Sequence, residues 1–213
     1  GYSSAASDVY KRQDSGLDYE YRRFYSAYDR IEDTTAFEPL RDLVENIYTN
    51  EYLETLLPKW NAAIQEPDSF MALPLQRDFY ARNLKNAKER TVVIISDAMR
   101  YEVSKELFRR IQDDPKCTAK LEVQLGVLPS YTRLGMAALL PHTELTMTDD
   151  FKVLVDGFPC ENLAEREAIL QKYSSDSACV QFDSIKSLKI ADLRSIFTGK
   201  QVVYVCLLYT SPS

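Results

Sequence analysis

Between Asp18 and about Asn86 the apolar residues return every three or four positions, as they do along one face of a helix. Tyr21, Phe24, Tyr28 and Ile31 form a first stripe, Phe37, Leu40, Val44 and Ile47 a second, and Leu53, Leu56, Trp60 and Ile64 a third. They predict three amphipathic helices. Asp33, Thr34 and Thr35 offer capping oxygens ahead of the second helix, and Asn50 can begin the third. Pro67 and Pro74 break the pattern before a short helix around Leu75 to Leu84. From Arg90 the period changes. Val92, Val93, Ile94 and Ile95 run without alternation, which predicts a strand buried on both faces. Val103, Leu107 and Ile111 then mark the buried face of a helix that ends near Asp113, Asp114 and Pro115.

Leu121, Val123, Leu125 and Val127 alternate strictly and predict a second strand, and Leu134 to Leu140 reads as a helix. Further strands are expected at Phe151 to Val155, Ala178 to Phe182 and Gln201 to Val205, with helices at Asn162 to Tyr173 and Ile190 to Phe197. Gly126 and Gly157 read as turn or bulge residues. The organisation expected is an all-helical region over 14–89 followed by an α/β layer over 90–205. Gly1 to Gln13 and Cys206 to Ser213 read as adapter-like, non-native tails, the alternative being frayed native ends rich in small polar residues. If the last strand is cut short by such a tail, Val202, Val203 and Val205 should be poorly covered.

Composition narrows the function classes. A hydrophobic content of 45% is that of a folded globular chain and excludes wholesale disorder. The formal charge of -6 speaks against a broad nucleic-acid footprint and leaves only a local basic groove open. Cys117, Cys160, Cys179 and Cys206 are scattered, without the close pair that a thiolate zinc site or a redox motif needs, so reduced, packed thiols are expected. No apolar run approaches the roughly 20 residues that span a bilayer, which points to a soluble, cytoplasmic protein. The tyrosines lie on helix stripes, not interleaved with basic groups on a strand, and therefore read as packing residues more than as a base-stacking platform.

The chemistry concentrates in two segments. Asp97 follows the first strand directly, at the sheet edge where ligands of open α/β folds bind. Its carboxylate is a candidate metal ligand, or else it only caps the following helix. Ser130, Tyr131 and Thr132 follow Pro129 and precede a helix whose first amides favour an anion. Thr132 is a candidate nucleophile, or an ordinary helix cap after a proline turn. No His or Lys adjoins it to act as base, so nucleophilic attack would need a divalent ion to acidify the hydroxyl. Arg100 and Arg133 could each grip a phosphate through paired N–H groups, or be solvated or salt-bridged. His142, the only histidine, suits the negative end of the preceding helix better than a metal. No glycine-rich phosphate loop and no HExxH motif is present.

Taken together, VVIISDAMRYEV, LPSYTRLGMAALLPH, DFKVLVDG, ACVQFDSIKS and QVVYV, in that order, resemble the PglZ domain, a branch of the alkaline-phosphatase-like superfamily found in bacterial phage-exclusion systems of the BREX type. The upstream segments RRFYSAYDRIEDT and LPLQRDFYARNL look similar too, so the resemblance covers about Asp18 to Val205. It implies a partial alkaline-phosphatase-like mixed sheet with flanking helices, preceded by the all-helical region. It also implies that Asp97 matches the first metal-binding aspartate and Thr132 the nucleophile, itself a metal ligand; Arg100 stays the substrate-binding candidate on its own chemistry. Two divalent ions, commonly zinc, would flank the reacting phosphoester, and the other Asp and His ligands would be supplied downstream of Gln201 to Val205. The function implied is that of a metal-dependent phosphoesterase or nuclease-like hydrolase in phage defence, of which this chain would be an inactive fragment. Other defence proteins would be its partners and nucleic acid a candidate substrate. The alternative is a non-catalytic docking or scaffold module of the same defence complex.

Overall fold

The computed structural model describes residues 15–65 and 72–207. Of the tails expected at 1–13 and 206–213, residues 1–13 and 208–213 lie outside the described residues, as does Pro67. The chain divides into two compact units, one of residues 1–73 and 99–123, the other of 74–98 and 124–213.

In the first unit α1 (Ser15–Tyr28) precedes a short 3-10 turn at Thr35–Phe37 and α2 (Glu38–Asn46), whose first turn holds Pro39 where no amide partner is lost. Asn50 does not begin a new helix. Instead α2 passes through a widened π-helical segment, Ile47–Leu53, directly into α3 (Glu54–Ile64), the amide of Glu54 bonding back to the carbonyl of Thr49. Pro58 lies just beyond, and its ring crowds the carbonyl four residues earlier, which favours a local change of winding. The tyrosines are indeed packing residues. Tyr21 and Tyr48 stack with centroids 3.7 Å apart, and the hydroxyls of Tyr21 and Tyr25 both donate to Glu45 Oε2, at 2.8 and 2.6 Å. Tyr48 donates to Asp18, and its phenol is pushed up to about 12 by burial and by that carboxylate. The second stripe is helical as expected but not covered, since Phe37, Leu40 and Ile47 are all exposed among the described residues.

The same unit contains α5 (Tyr101–Gln112). The element introduced before it, α4 (Phe79–Asn83), belongs to the second unit and follows a 3-10 turn at Gln76–Asp78. Helix α5 does not bury the expected stripe, because Val103 and Leu107 are about half exposed. Its buried position is Glu102, which forms an ion pair with Arg22, Oε1 and Nε standing 2.8 Å apart. A buried carboxylate needs a cationic partner, so the ion pair, not the apolar stripe, marks the inward side.

The second unit is built on a parallel sheet of order β1-β6-β5, from β1 (Thr91–Ser96), β5 (Ser177–Gln181) and β6 (Val202–Leu207). Parallel neighbours require crossovers, and α7 (Leu163–Tyr173), α8 (Phe182–Ile185) and α9 (Ile190–Phe197) supply the helical layers. Two expectations are reversed here. Among the described residues strand β1 lies at the edge of this sheet, with Val92 and Ile94 44% and 66% exposed, and is not buried on both faces. Conversely β6 is central, so Val202, Val203 and Val205 are 2%, 0% and 4% exposed and well covered. Cys206 and Leu207, expected in a tail, complete β6 and pair with Ile95 and Ser96. A continuous apolar run cannot distinguish centre from edge, because both have the same local sequence and differ only in neighbours.

One face of the sheet packs Val93, Tyr204 and Cys179 against Leu134, Leu140 and Leu170, and the other packs Val203 and Val205 against Ile185, Leu193 and Ile196. The strand expected at Leu121 to Val127 does not form. The segment is extended, with one isolated parallel bridge between Leu75 and Leu125, and its apolar side chains alternate as half-buried positions. Alternation reports a pleated backbone, whereas a strand also needs a ladder partner.

A second, antiparallel sheet joins β2 (Leu145–Met147), β3 (Val153–Val155) and β4 (Phe158–Pro159). Its β3–β4 hairpin turns at Asp156 and Gly157, with φ of 49° and 79°, the Asp-Gly pair that a two-residue loop with two positive φ angles demands. Asp156 also accepts the amides of Thr143 and Glu144 through Oδ1 and the hydroxyl of Tyr173 through Oδ2. Burial pushes its carboxyl up, but the two amides and the phenol outweigh this and hold it below the usual carboxylate range. A depressed folded pKa stabilises the fold above the unfolded value of about 4 and loses that contribution as pH falls through the folded value. Asp156→Asn is therefore expected to flatten the acid limb of stability below about pH 4, read from urea midpoints across that range; an unchanged limb would remove Asp156 from the acid response.

The helices expected at Asn162 to Tyr173 and Ile190 to Phe197 form, whereas neither Thr34 nor Phe37 makes a side-chain cap ahead of α2, the strand expected from Phe151 begins at Val153, and Cys117 is exposed and not packed. Helix α7 opens with a capping box, Asn162 accepting the amide of Glu165 at 2.9 Å and Glu165 accepting that of Asn162 at 3.3 Å, and α9 has the expected bounds. Cys160, Cys179 and Cys206 are buried free thiols, with Cys179 pushed up to about 12 by desolvation and by the neighbouring Cys206 and Glu167. Among the described residues no helix is long and apolar enough to cross a membrane. The chain is thus mixed α/β with a helical N-terminal region, as its sequence pattern predicts.

Candidate active site

Strand β1 ends at Ser96 and hands the chain to Asp97, whose amide donates to the carbonyl of Leu207 at 3.3 Å and so stays tied to the sheet edge. Asp97 Oδ1 accepts the amide of Ala98 at 3.0 Å. Ala98 has φ of 56°, a left-handed conformation that costs a residue bearing a Cβ about 1–2 kcal/mol. Asp97 does not cap α5. The cap position is Arg100, and no side chain bonds to the helix amides there. The capping alternative for Asp97 is therefore set aside, its exposed carboxylate bonding the Ala98 amide and not the helix start.

The second segment reaches the same place by a different route. After the cis Leu128–Pro129 peptide the amide of Tyr131 donates to the carbonyl of Pro129 at 2.7 Å, and α6 (Thr132–Ala138) begins. Tyr131 occupies the cap position without a side-chain bond, so Thr132 is the first helical residue and its exposed hydroxyl is not a cap either. Asp97 and Thr132 both line one cleft of about 350 Å³, together with Ser96, Ser130, Tyr131 and Gln76. A neighbouring second strand was expected to bring them together. The packing of α6 does so instead.

Gln76 is the residue that sequence reasoning passed over. Its Nε2 donates to the carbonyl of Gly135 at 3.1 Å and its Oε1 accepts the amide of Val127 at 3.1 Å, so one side chain ties the extended 125–127 segment to α6. The main chain assists, the amide of Gln76 donating to Leu125 and that of Leu125 to Pro74, each at 2.8 Å. The only signal was its place in the LPLQRDFYARNL segment, because its partners lie 51 and 59 residues away.

The other candidates lie elsewhere. Arg100 belongs to the first unit, whereas every residue lining the cleft belongs to the second. Arg133 is salt-bridged to Glu161 at 3.0 Å. His142 keeps its Nδ1 2.7 Å from the carbonyl of Leu140 at the end of α6, the structural role expected of it. Asp97 is the sole carboxylate among the lining residues, and among the described residues no group of three or more His, Cys, Asp or Glu is placed to hold a metal. One carboxylate and a few hydroxyls do not make up a two-ion site, which needs several anionic or imidazole donors per ion.

Residues 78–208 match the model of the BREX system PglZ alkaline phosphatase-like domain, a span that includes Asp97 and Thr132. The chain belongs to this PglZ family. It is 39% identical over 208 residues to the alkaline phosphatase-like protein PglZ of Bacillus cereus, covering 93% of this chain and 24% of that protein. With the alkaline phosphatase-like protein BrxZ of Escherichia coli it shares 34% identity over 203 residues, covering 89% of this chain and 23% of the relative. This PglZ-family chain thus spans about a quarter of the length of the curated relatives it matches. No solved structure matches it significantly.

Proposed function

We propose that the cleft carrying Asp97 and Thr132 is part of the phosphoester-hydrolysing centre of a BREX phage-defence protein. The observation that supports this is the convergence of the two side chains on one cleft at the carboxyl edge of a parallel sheet, neither of them spent on capping a helix. In this reading Thr132 Oγ1 gives its proton to solvent and bonds to phosphorus while the bond from phosphorus to the leaving oxygen breaks and that oxygen takes a proton from water; a second water then adds to phosphorus, the bond to Thr132 Oγ1 breaks, and the threonine hydroxyl regains a proton. A divalent ion, zinc by family analogy, would acidify the hydroxyl and offset charge on the phosphoryl oxygens. Asp97 and Thr132 would be this chain's ligands to it, the others coming from the rest of the whole protein. Gln76 would position the 125–127 segment against α6. Nucleic acid is the substrate class and other BREX proteins are the partners in this reading, with the protein acting in the cytoplasm.

The test uses the whole protein, a chromogenic phosphodiester and added zinc or manganese. Asp97→Asn is expected to raise the metal concentration for half-maximal turnover at least about tenfold, since even outer-shell changes cost roughly 10–100-fold. An unchanged metal dependence would take Asp97 out of the site.

A second reading, a docking module, is favoured by the exposed stripe Phe37, Leu40, Leu43 and Ile47 on the first unit. It predicts that partner proteins co-purify with an Asp97→Ala, Thr132→Ala double variant and are lost when Leu40 and Leu43 are both made Asp. Retention by that second variant would discard it.

A further inference from the structure

A second cleft in the same unit, of about 700 Å³, shares no lining residue with the one described above. Arg77, Lys85, His142, Thr143, Tyr80 and Tyr173 carry its chemistry. Arg77 precedes α4 and Lys85 follows it, so the short helix holds two cations at its two ends, facing one cavity. Both are exposed, and among the described residues neither forms a salt bridge. Among the described residues the lining contains a single acid, Asp78, against the two cations, on a chain of net charge -6.

The aromatic and polar groups are also fixed in place. Tyr173 donates its hydroxyl to Asp156 Oδ2 at 2.9 Å, and its ring meets that of Tyr80 edge-on with centroids 6.1 Å apart, yet half of Tyr173 remains exposed. A held, half-exposed ring is a stacking surface whose ordering cost has already been met. His142 keeps Nδ1 against the carbonyl of Leu140, and a carbonyl only accepts, so Nδ1 carries a proton and Nε2 is the nitrogen left for a ligand. Two cations, a flat ring, an imidazole nitrogen and a hydroxyl in a cavity of this size match the parts of one ligand class. We propose that this cleft binds a nucleoside phosphate, with Arg77 and Lys85 on the phosphate, Tyr173 against the base, and His142 and Thr143 within reach of the sugar hydroxyls.

The proposal stands independently of the hydrolase reading. Both clefts nevertheless share backbone, since Gln76 and Leu139 line one while their neighbours Arg77 and Leu140 line the other.

The experiment is calorimetric titration of the 213-residue chain with adenosine monophosphate, inorganic phosphate and adenosine in parallel. The nucleotide is expected to bind at least about tenfold more tightly than either component, and to weaken as salt is raised. An Arg77→Ala, Lys85→Ala double variant should lose at least about tenfold in affinity while keeping the parent melting profile, both side chains being exposed. Asp97→Asn and Thr132→Ala should leave binding unchanged. No heat with the nucleotide, equal affinity for inorganic phosphate, or an undiminished affinity in the double variant would each overturn the proposal. Loss of binding in the Asp97 or Thr132 variant would also overturn it, by placing the nucleotide in the other cleft.

Discussion

Thr132→Ala in the whole protein is expected to lower phosphodiester turnover by about a thousandfold or more, while Thr132→Ser keeps it within about tenfold of the parent. The asymmetry follows from what each change removes. Alanine deletes the oxygen that would bond to phosphorus, and no positioning of the remaining groups replaces a nucleophile. Serine keeps the oxygen at the same position on α6 and gives up only the methyl group that restricts its rotamers. Thr132 is exposed and makes no capping bond, so neither change should disturb the fold, and equal melting temperatures for the three proteins would separate chemistry from stability. Acid quenching during turnover should also leave a phosphoryl group on Thr132 in the parent and none in the alanine protein, read by mass spectrometry. Turnover by Thr132→Ala within tenfold of the parent would assign the nucleophile to another group, and the cleft would then bind without reacting.

The largest effect on stability is expected at Tyr204. It lies in the middle of β6, paired with Val93 on one side and Cys179 on the other, and is 1% exposed. Its hydroxyl donates to the carbonyl of Leu139 at 2.6 Å, satisfying a helix-end carbonyl of α6, and burial pushes the phenol well above its ordinary range. Tyr204→Ala should cost about 3–5 kcal/mol, the range for emptying a large aromatic site in a close-packed core. Tyr204→Phe keeps the packing and strands the Leu139 carbonyl, at about 1–3 kcal/mol. Urea unfolding of the two variants measures both. Because Leu139 also lines the Asp97 and Thr132 cleft, the phenylalanine protein should in addition turn over more slowly than its small loss of stability implies. A phenylalanine variant as stable as the parent would mean that water or another donor serves Leu139 equally well.

Much of this protein was legible residue by residue. The helices α1, α7 and α9, the strands β1, β5 and β6, and the placing of Asp97 just past a strand and Thr132 at a helix start all follow from period and punctuation, which are properties of neighbouring residues. The Asp156-Gly157 dipeptide carried the hairpin signal as well, and weighing it more heavily would have located β4. Leu121 to Val127 was misread for an instructive reason. Its alternation is real, but a ladder is made by the partner segment, and among the described residues it has a single bridge, from Leu125 to Leu75.

The chain's own pattern thus settles which segments are helical or extended and where the reactive oxygens stand along it, since a pleat or a helical turn is completed within a few residues. Which strand lies centrally, which face is covered, and which side chains share a cleft are settled by contacts between distant segments. Gln76 reaching Val127 and Gly135, Tyr204 reaching Leu139, and β6 inserting between β1 and β5 are such contacts. The physical reason is that burial and hydrogen-bond satisfaction are properties of the packed ensemble of segments, so two strands of equal apolarity, β1 and β6, end with opposite exposure.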